Sequence, residues 1–319
     1  MSRTRRVVLI TLAALVLLVV VGPLLVPVPP LENTRTPEEL AGPNGRFLEI
    51  NGLNVHYELS GQGEPFYVLL HGFGASTFSW REVSGPMAEM GTVLAYDRPA
   101  FGLTERPLEW EGPNPYSPQA NQELVLSLLD HFGVEKAVLV GNSAGGTLAL
   151  QFALRYPERV EALVLVDPAV YSGGGAPAWV RPLLATPQLR RLGPLFVRRL
   201  FSSGENLISR AWYDPSRITP EIQDGYEKPL QIANWDRALW EMTLASREAD
   251  LESRLEDLQL PILVVTGEAD QIVPAEQSIR LAEELPSAEL VVFPKCGHLP
   301  QEECPDEFMG AVRNFMAGL

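Results

Sequence analysis

Lys136-Ala137-Val138-Leu139-Val140 runs directly into Gly141-Asn142-Ser143-Ala144-Gly145-Gly146, and Thr147-Leu148-Ala149-Leu150-Gln151-Phe152-Ala153 follows. An apolar strand-like run, a G-x-S-x-G pentapeptide and a helix-like stretch together make a strand–turn–helix corner. The glycines let the chain turn sharply enough to lift the serine hydroxyl above the sheet edge, the arrangement called a nucleophile elbow. The pentapeptide alone is a weak signal. Context strengthens it, because an acid and a histidine follow in the order, and at the strand ends, where such a serine needs them.

Outward from this corner, strand-like runs lie at 46–50, 54–59, 66–70, 93–96, 137–140, 162–166, 262–266 and 289–293, with helical patterns at 119–131, 144–155, 275–284 and 306–316. Continuous apolar strands alternating with helices predict an α/β fold, a mainly parallel eight-stranded sheet covered on both faces. The first two strands have no helix between them and are expected to form an antiparallel hairpin. The alternation breaks at 171–258, which opens with Ser172-Gly173-Gly174-Gly175 and reads as an inserted helical cap. The expected core is therefore 46–170 plus 259–319. The cap carries Trp179, Phe196, Phe201, Trp212, Trp235 and Trp240. Most of these are expected to be packing residues, with Trp179 and Phe196 the candidates for a pocket wall.

The first 31 residues stand apart. Arg3, Arg5 and Arg6 precede a stretch, 7–31, without a single charge. That is long enough for about 20 helical residues across a bilayer, and the flanking arginines place the N-terminus inside. A cleaved signal peptide is the competing reading, although a small-x-small site is hard to find before Pro23 or Pro27. A Pro-rich linker is expected at 32–45. The chain as a whole is acidic, with a formal net charge of -15 and a pI near 4.8, which argues against nucleic acid as a partner. Two cysteines, Cys296 and Cys304, bracket His298. They are either a disulfide or two small apolar residues.

A serine hydroxyl needs a base, and the base works best when a carboxylate fixes its tautomer. Of four histidines, His298 in Cys296-Gly297-His298-Leu299-Pro300 lies just past the last strand and is the expected base. Asp270, after the preceding strand in Gly267-Glu268-Ala269-Asp270, is the expected acid; Asp167, at another strand end, is the alternative, with bracing a loop as its other role. Glu268 and Glu302 are expected in solvent or behind the reacting groups. The oxyanion formed by attack on an ester needs N–H donors. The amides of Ala144 and Phe73 are the candidates, with Phe73 and Asn142 also placed against the substrate. No metal or dinucleotide signature is convincing, and the chemistry needs no cofactor.

From about Arg46 onward the chain resembles α/β-hydrolase-fold enzymes of the esterase/lipase type. The resemblance rests on His71-Gly72-Phe73-Gly74, the turn Asp97-Arg98-Pro99-Ala100-Phe101-Gly102, the elbow, the Gly267–Pro274 acid loop and Gly297-His298 with Gln301 and Glu302. It implies a serine hydrolase working through an acyl-enzyme. Dehalogenases and epoxide hydrolases of this fold carry aspartate where Ser143 stands. Carbon–carbon-bond hydrolases share the G-N-S-x-G-G elbow but usually have tryptophan where this chain has Leu299. Ala100 replaces a usual glycine.

Arg181, Arg190, Arg191, Arg198, Arg199 and Arg210 gather in one part of the cap among leucines and phenylalanines. Such a surface suits anionic lipid, and with the N-terminal anchor it suggests monoacylglycerols or other lipid-like esters as substrates. A solvated arginine face is the plainer alternative. Hydrolysis of a C–C bond, lactone or amide, and a non-catalytic receptor on the same fold, remain as further alternatives.

Overall fold

The computed structural model describes residues 2–171, 176–177, 179–202, 207–246 and 251–319. The glycine run expected to open the cap, 172–175, lies outside the described residues. Eight strands form one sheet: β1 (Gly45–Ile50), β2 (Leu53–Ser60), β3 (Phe66–Leu70), β4 (Thr92–Tyr96), β5 (Ala137–Asn142), β6 (Val160–Val166), β7 (Ile262–Gly267) and β8 (Ala288–Phe293). Their order is β1-β2-β4-β3-β5-β6-β7-β8. β2 pairs antiparallel with both β1 and β4, and every other pairing is parallel. The principal helices are α1 (Arg3–Leu25), α2 (Pro118–His131), α3 (Ala144–Arg155), α4 (Pro187–Ser202), α5 (Trp235–Ala245), α6 (Ala275–Glu284) and α7 (Pro305–Ala317).

The apolar strands alternate between two cores because side chains of a strand point to opposite faces in turn. Leu139, Leu163, Leu165 and Val264 pack on one face with Leu124, Leu128 and Phe152 from α2 and α3. Val138, Val140, Val164 and Val265 pack on the other with Trp80, Met87, Phe308 and Phe315. A sheet buried on both sides has no solvated face, so its strands read as unbroken apolar runs. α2 starts where Ser117 accepts a hydrogen bond from the Ala120 amide at 3.1 Å and Pro118 occupies the first helical position.

β5 runs two residues further than its apolar stretch, because Gly141 and Asn142 pair with Leu165 and Val166 of β6. Ser143 therefore follows the strand with no spacer. Since β3 to β8 are parallel, the loops carrying His71, Ser143, Asp167, Asp270 and His298 all leave from one edge of the sheet.

Between β6 and β7 the described residues contain helices and no strand. α5 packs through Trp235, Ala238 and Leu239 on Phe101 and Tyr116 of the core. Leu251, Leu255 and Leu258 already belong to the sheet's own core, so core packing begins before the expected boundary at 259. The 32–45 stretch is pinned rather than loose. Thr36 and Glu39 close a capping box on a short helix (Pro37–Leu40), and Arg35 bridges Ile232. α1 is a 23-residue helix, apolar and long enough to cross a membrane, with none of its residues buried.

Cys296 and Cys304 are disulfide-bonded with Cα atoms 6.4 Å apart, joining the loop that carries His298 to the start of α7. Replacing both by serine is expected to lower stability by about 2–3 kcal/mol through the closed-loop entropy released to the unfolded chain. Denaturant melts of the variant and the oxidised parent measure it.

Candidate active site

Ser143 has φ 53° and ψ -119°, outside the regions open to ordinary residues. Strain of this kind costs about 1–3 kcal/mol and persists only where the surroundings enforce it. Here the Ser143 amide donates to Val166 O at 2.9 Å, while Ser143 O accepts from the Thr147 and Ala169 amides at 3.1 and 3.2 Å. A Cβ on Gly145 would overlap the Leu70 carbonyl, so β3 and the first turn of α3 meet only because that side chain is absent. Ser143 precedes α3, but its hydroxyl makes no capping bond, which leaves the Oγ uncommitted to the helix.

His298 Nδ1 lies 2.6 Å from Asp270 Oδ2. The other Asp270 oxygen accepts from the Ile272 and Val273 amides at 2.7 and 3.0 Å, which fixes the carboxylate against rotation. The imidazole is placed from behind as well. Its own amide donates to Ala211 O at 2.6 Å, and Asn142 Nδ2 donates to His298 O at 3.1 Å, so the elbow and the histidine loop are bonded to each other. Asp167, the alternative acid, is fully buried behind this pair. Its Oδ1 accepts from Thr266 Oγ1 at 2.6 Å and from the Gly267 amide at 3.2 Å. Burial first, and then the neighbouring Asp270 charge, raises its pKa well above the usual carboxylate range. Among the described residues Asp167, Asp270 and His298 bring ligand-type atoms within 4.8 Å of one another. The oxygens of Asp270 are already taken by the imidazole and two amides, so hydrogen bonding accounts for the arrangement without an ion.

The His71–Gly74 loop passes against the elbow. A Cβ on Gly72 would come within 2.9 Å of Asn142 Oδ1 and 3.2 Å of Ser143 Cβ. His71 braces the loop from beneath: its Nε2 accepts from the Arg98 amide at 3.0 Å, so Nδ1 donates to Gly72 O at 2.8 Å. Ala100 in the adjoining turn takes φ 78°, keeping the left-handed geometry that glycine would adopt without steric cost. Ala144 is the first residue of α3, where a backbone N–H has no acceptor within the helix.

Ser143 and His298 share a cavity of about 180 Å³, walled by Phe73, Asn142, Leu200, Phe201, Ile208, Leu230, Ile272 and Leu299, together with the polar Gln223, Tyr226 and Glu227. Among the described residues no lysine or arginine lines it. Phe73 stands edge-on to Phe101 at 5.6 Å. Asn142 reaches the cavity, but its amide nitrogen is spent on the Val166 and His298 carbonyls. Trp179 and Phe196, expected at the pocket, are not brought to it; they are 83% and 62% exposed on the outer side of the insertion. Phe196 lies one turn before Leu200 on the same face of α4, so it falls short of the cavity along the helix axis and not by phase.

Glu268 is exposed, as one reading held. Glu302 is buried, accepting from Arg81 Nη1 at 2.6 Å and from the Tyr226 hydroxyl, and burial pushes its pKa up to about 7. Sequence reasoning missed Tyr226 and Glu303. The Glu303 carboxylate accepts from the Gly297, Tyr213 and Asp214 amides at 2.7, 2.9 and 2.8 Å, clamping the histidine loop to the insertion. The sequence-level signal for Glu303 was its place five residues after His298; Tyr226 had none.

A model of the alpha/beta hydrolase family matches residues 67–311. The chain belongs to that family. The hydrolase is 30% identical over 286 residues to a 2-hydroxy-6-oxo-6-phenylhexa-2,4-dienoate hydrolase of Burkholderia cepacia, covering 85% of this chain and 96% of that one. Its structure is similar to the meta-cleavage product hydrolase CumD of Pseudomonas fluorescens IP01, with a TM-score of 0.65 and 29% identity over 86% of this chain and 98% of that one. It is similar also to a thermophilic esterase from Thermogutta terrifontis, with a TM-score of 0.69 and 25% identity over 86% of this chain and 98% of the esterase.

Burial, with Arg98 beside it, pushes His71 from 6.5 down to about 3. The folded hydrolase thus keeps His71 neutral where the unfolded chain already binds a proton. This contribution is complete above pH 6.5 and is lost as pH falls toward about 3. His71→Asn is expected to be less stable at neutral pH and to lose stability less steeply in acid than the parent, read from urea melts at stepped pH. The paired comparison separates His71 from Glu302, whose raised pKa works in the opposite sense.

Proposed function

We propose that this hydrolase cleaves neutral carboxylic esters through an acyl-enzyme on Ser143. The observation that carries the reading is the His298–Asp270 pair at 2.6 Å, opening onto the same apolar cavity as the strained, uncapped Ser143. In this mechanism His298 takes the Ser143 proton as Oγ attacks the ester carbonyl, and Asp270 steadies the imidazolium through Nδ1. The Phe73 and Ala144 amides receive the oxyanion. Collapse expels the alcohol, protonated by His298, and water activated by the same imidazole releases the acid.

The names of several relatives favour C–C bond cleavage of a dienoate, as does the G-N-S-x-G-G elbow. A dienoate carries a carboxylate, however, and burying one without a cation or a set of donors is costly. Among the described residues the cavity offers no lysine or arginine and presents Glu227 instead, and Leu299 follows the histidine. Neutral esters with an apolar acyl part suit such a lining better. p-Nitrophenyl esters of graded chain length are expected to be turned over, a 2-hydroxy-6-oxo-dienoate much less so. Ser143→Ala is expected to lower kcat by about 10⁴-fold or more with the melting curve intact; residual activity near the parent's removes the mechanism.

We read α1 as an uncleaved anchor with the hydrolase outside the cytoplasm, secretion after cleavage being the alternative. The disulfide suits an oxidising compartment. The insertion reads as a cap lying near the bilayer. Gln188 Nε2, Arg191 Nε and Arg198 Nη1 of α4 donate to Val20 O, Val26 O and Pro29 O at 2.9, 3.0 and 2.7 Å, so the basic helix is held at the anchor's end. Trp179, Leu183, Phe196 and Leu200 are exposed on the insertion. These features support lipid-like esters as substrates. A chain lacking residues 1–30 is expected to retain binding to anionic liposomes, and Arg190→Gln with Arg191→Gln to weaken it severalfold; co-sedimentation measures both.

A further inference from the structure

Asp167 is not used by the mechanism above, yet it is fully buried against the triad, with φ 44° at the end of β6. Its Oδ1 is satisfied by Thr266 and Gly267, whereas its Oδ2, equally buried, has no hydrogen-bond partner among the described residues. An orphan oxygen in the interior is costly, and more so when it carries charge. The ionisable groups facing it are Asp270, on the loop after β7, and His298, on the loop after β8, all with ligand-type atoms within 4.8 Å. Two bare carboxylates cannot share so dry a space, because like charges raise each other's cost of ionisation. Asp270 is the one that is already paid in hydrogen bonds, from two amides and the imidazole. The proton therefore belongs on Asp167.

We propose that Asp167 and Asp270 form a carboxyl–carboxylate pair behind His298, in which protonated Asp167 donates from Oδ2 to Asp270 and so acts as a positioning residue of the triad. The inference rests on the triad reading above. Burial and the Asp270 charge, which raise the Asp167 pKa, agree with it. The pair holds the Asp270 carboxylate in plane and drains part of its negative charge. A less negative Asp270 stabilises the imidazolium less, which leaves His298 neutral, and able to act as a base, at lower pH.

The test compares the pH profile of kcat/KM for p-nitrophenyl butyrate in the parent, Asp167→Asn and Asp167→Leu. Asparagine keeps an N–H donor toward Asp270, while leucine fills the volume and donates nothing. The pair predicts that Asp167→Leu shifts the acidic limb upward by about half a unit to one unit, with Asp167→Asn close to the parent. Coincident profiles in all three, or an equal displacement in both variants, would overturn it, since a merely structural role does not distinguish donor from non-donor. If Asp167→Leu fails to fold, infrared difference spectra of the full chain decide. A protonated-carboxyl C=O band present in the parent at neutral pH and missing from Asp167→Asn supports the pair; its absence from the parent overturns it. Ser143→Ala runs alongside: activity surviving there overturns the triad reading and the pair together, whereas a dead Ser143→Ala with coincident Asp167 profiles overturns the pair alone.

Discussion

The left-handed backbone at Ser143 is a conformation that an isolated chain would leave at once, and the site depends on the contacts that forbid it to. β5 pairs with β6 right up to Asn142, so there is no slack before the turn. The Leu70 carbonyl packs where a side chain at Gly145 would be, and the Ala169 amide holds the Ser143 carbonyl from the next loop. Each restraint comes from a different strand end. The strain is therefore supported by the parallel sheet as a whole rather than by the turn itself, which is why a five-residue pattern acquires meaning only inside this fold.

The same logic explains what could be read from the amino-acid order and what could not. Strands buried on both faces must be apolar throughout, so Ala137–Asn142 and Ile262–Gly267 announced themselves, and the loops behind them located Ser143, Asp270 and His298. Contacts between the insertion and the core left no such trace. Tyr226 reaches the cavity because the helix carrying it packs Gly225 against Phe78, a fit of shapes that composition does not encode. Trp179 and Phe196 are large apolar residues of the insertion, but size says nothing about which part of it meets the cavity. Glu302 is buried because Arg81 and Tyr226, distant in the chain, meet it. Whether Cys296 and Cys304 pair depended on a separation in space, not on their spacing.

Chemistry and specificity are written in different parts of the molecule. On the mechanism proposed, the hydrogen bonds around Ser143 and His298 come from the sheet edge and would serve an ester or a C–C bond equally well. On that mechanism the choice between substrates falls to the cavity wall, where Phe73, Phe201 and Leu230 stand with Gln223, Tyr226 and Glu227. On the ester reading, a lining with Glu227 and no cation among its described residues sets a threshold against anionic substrates. Family membership thus constrains the reaction type more tightly than the compound.

The clamp that Glu303 makes on Tyr213, Asp214 and Gly297, together with the Ala211–His298 bond, carries a mechanical implication. Swinging the 211–214 stretch outward would drag the imidazole off its carboxylate and disarm the enzyme as it opened. Leu200 and Phe201 reach the cavity from α4, the helix whose side chains bond the carbonyls of Val20, Val26 and Pro29. One helix thus belongs both to the wall of the cavity and to the seat of the N-terminal tether.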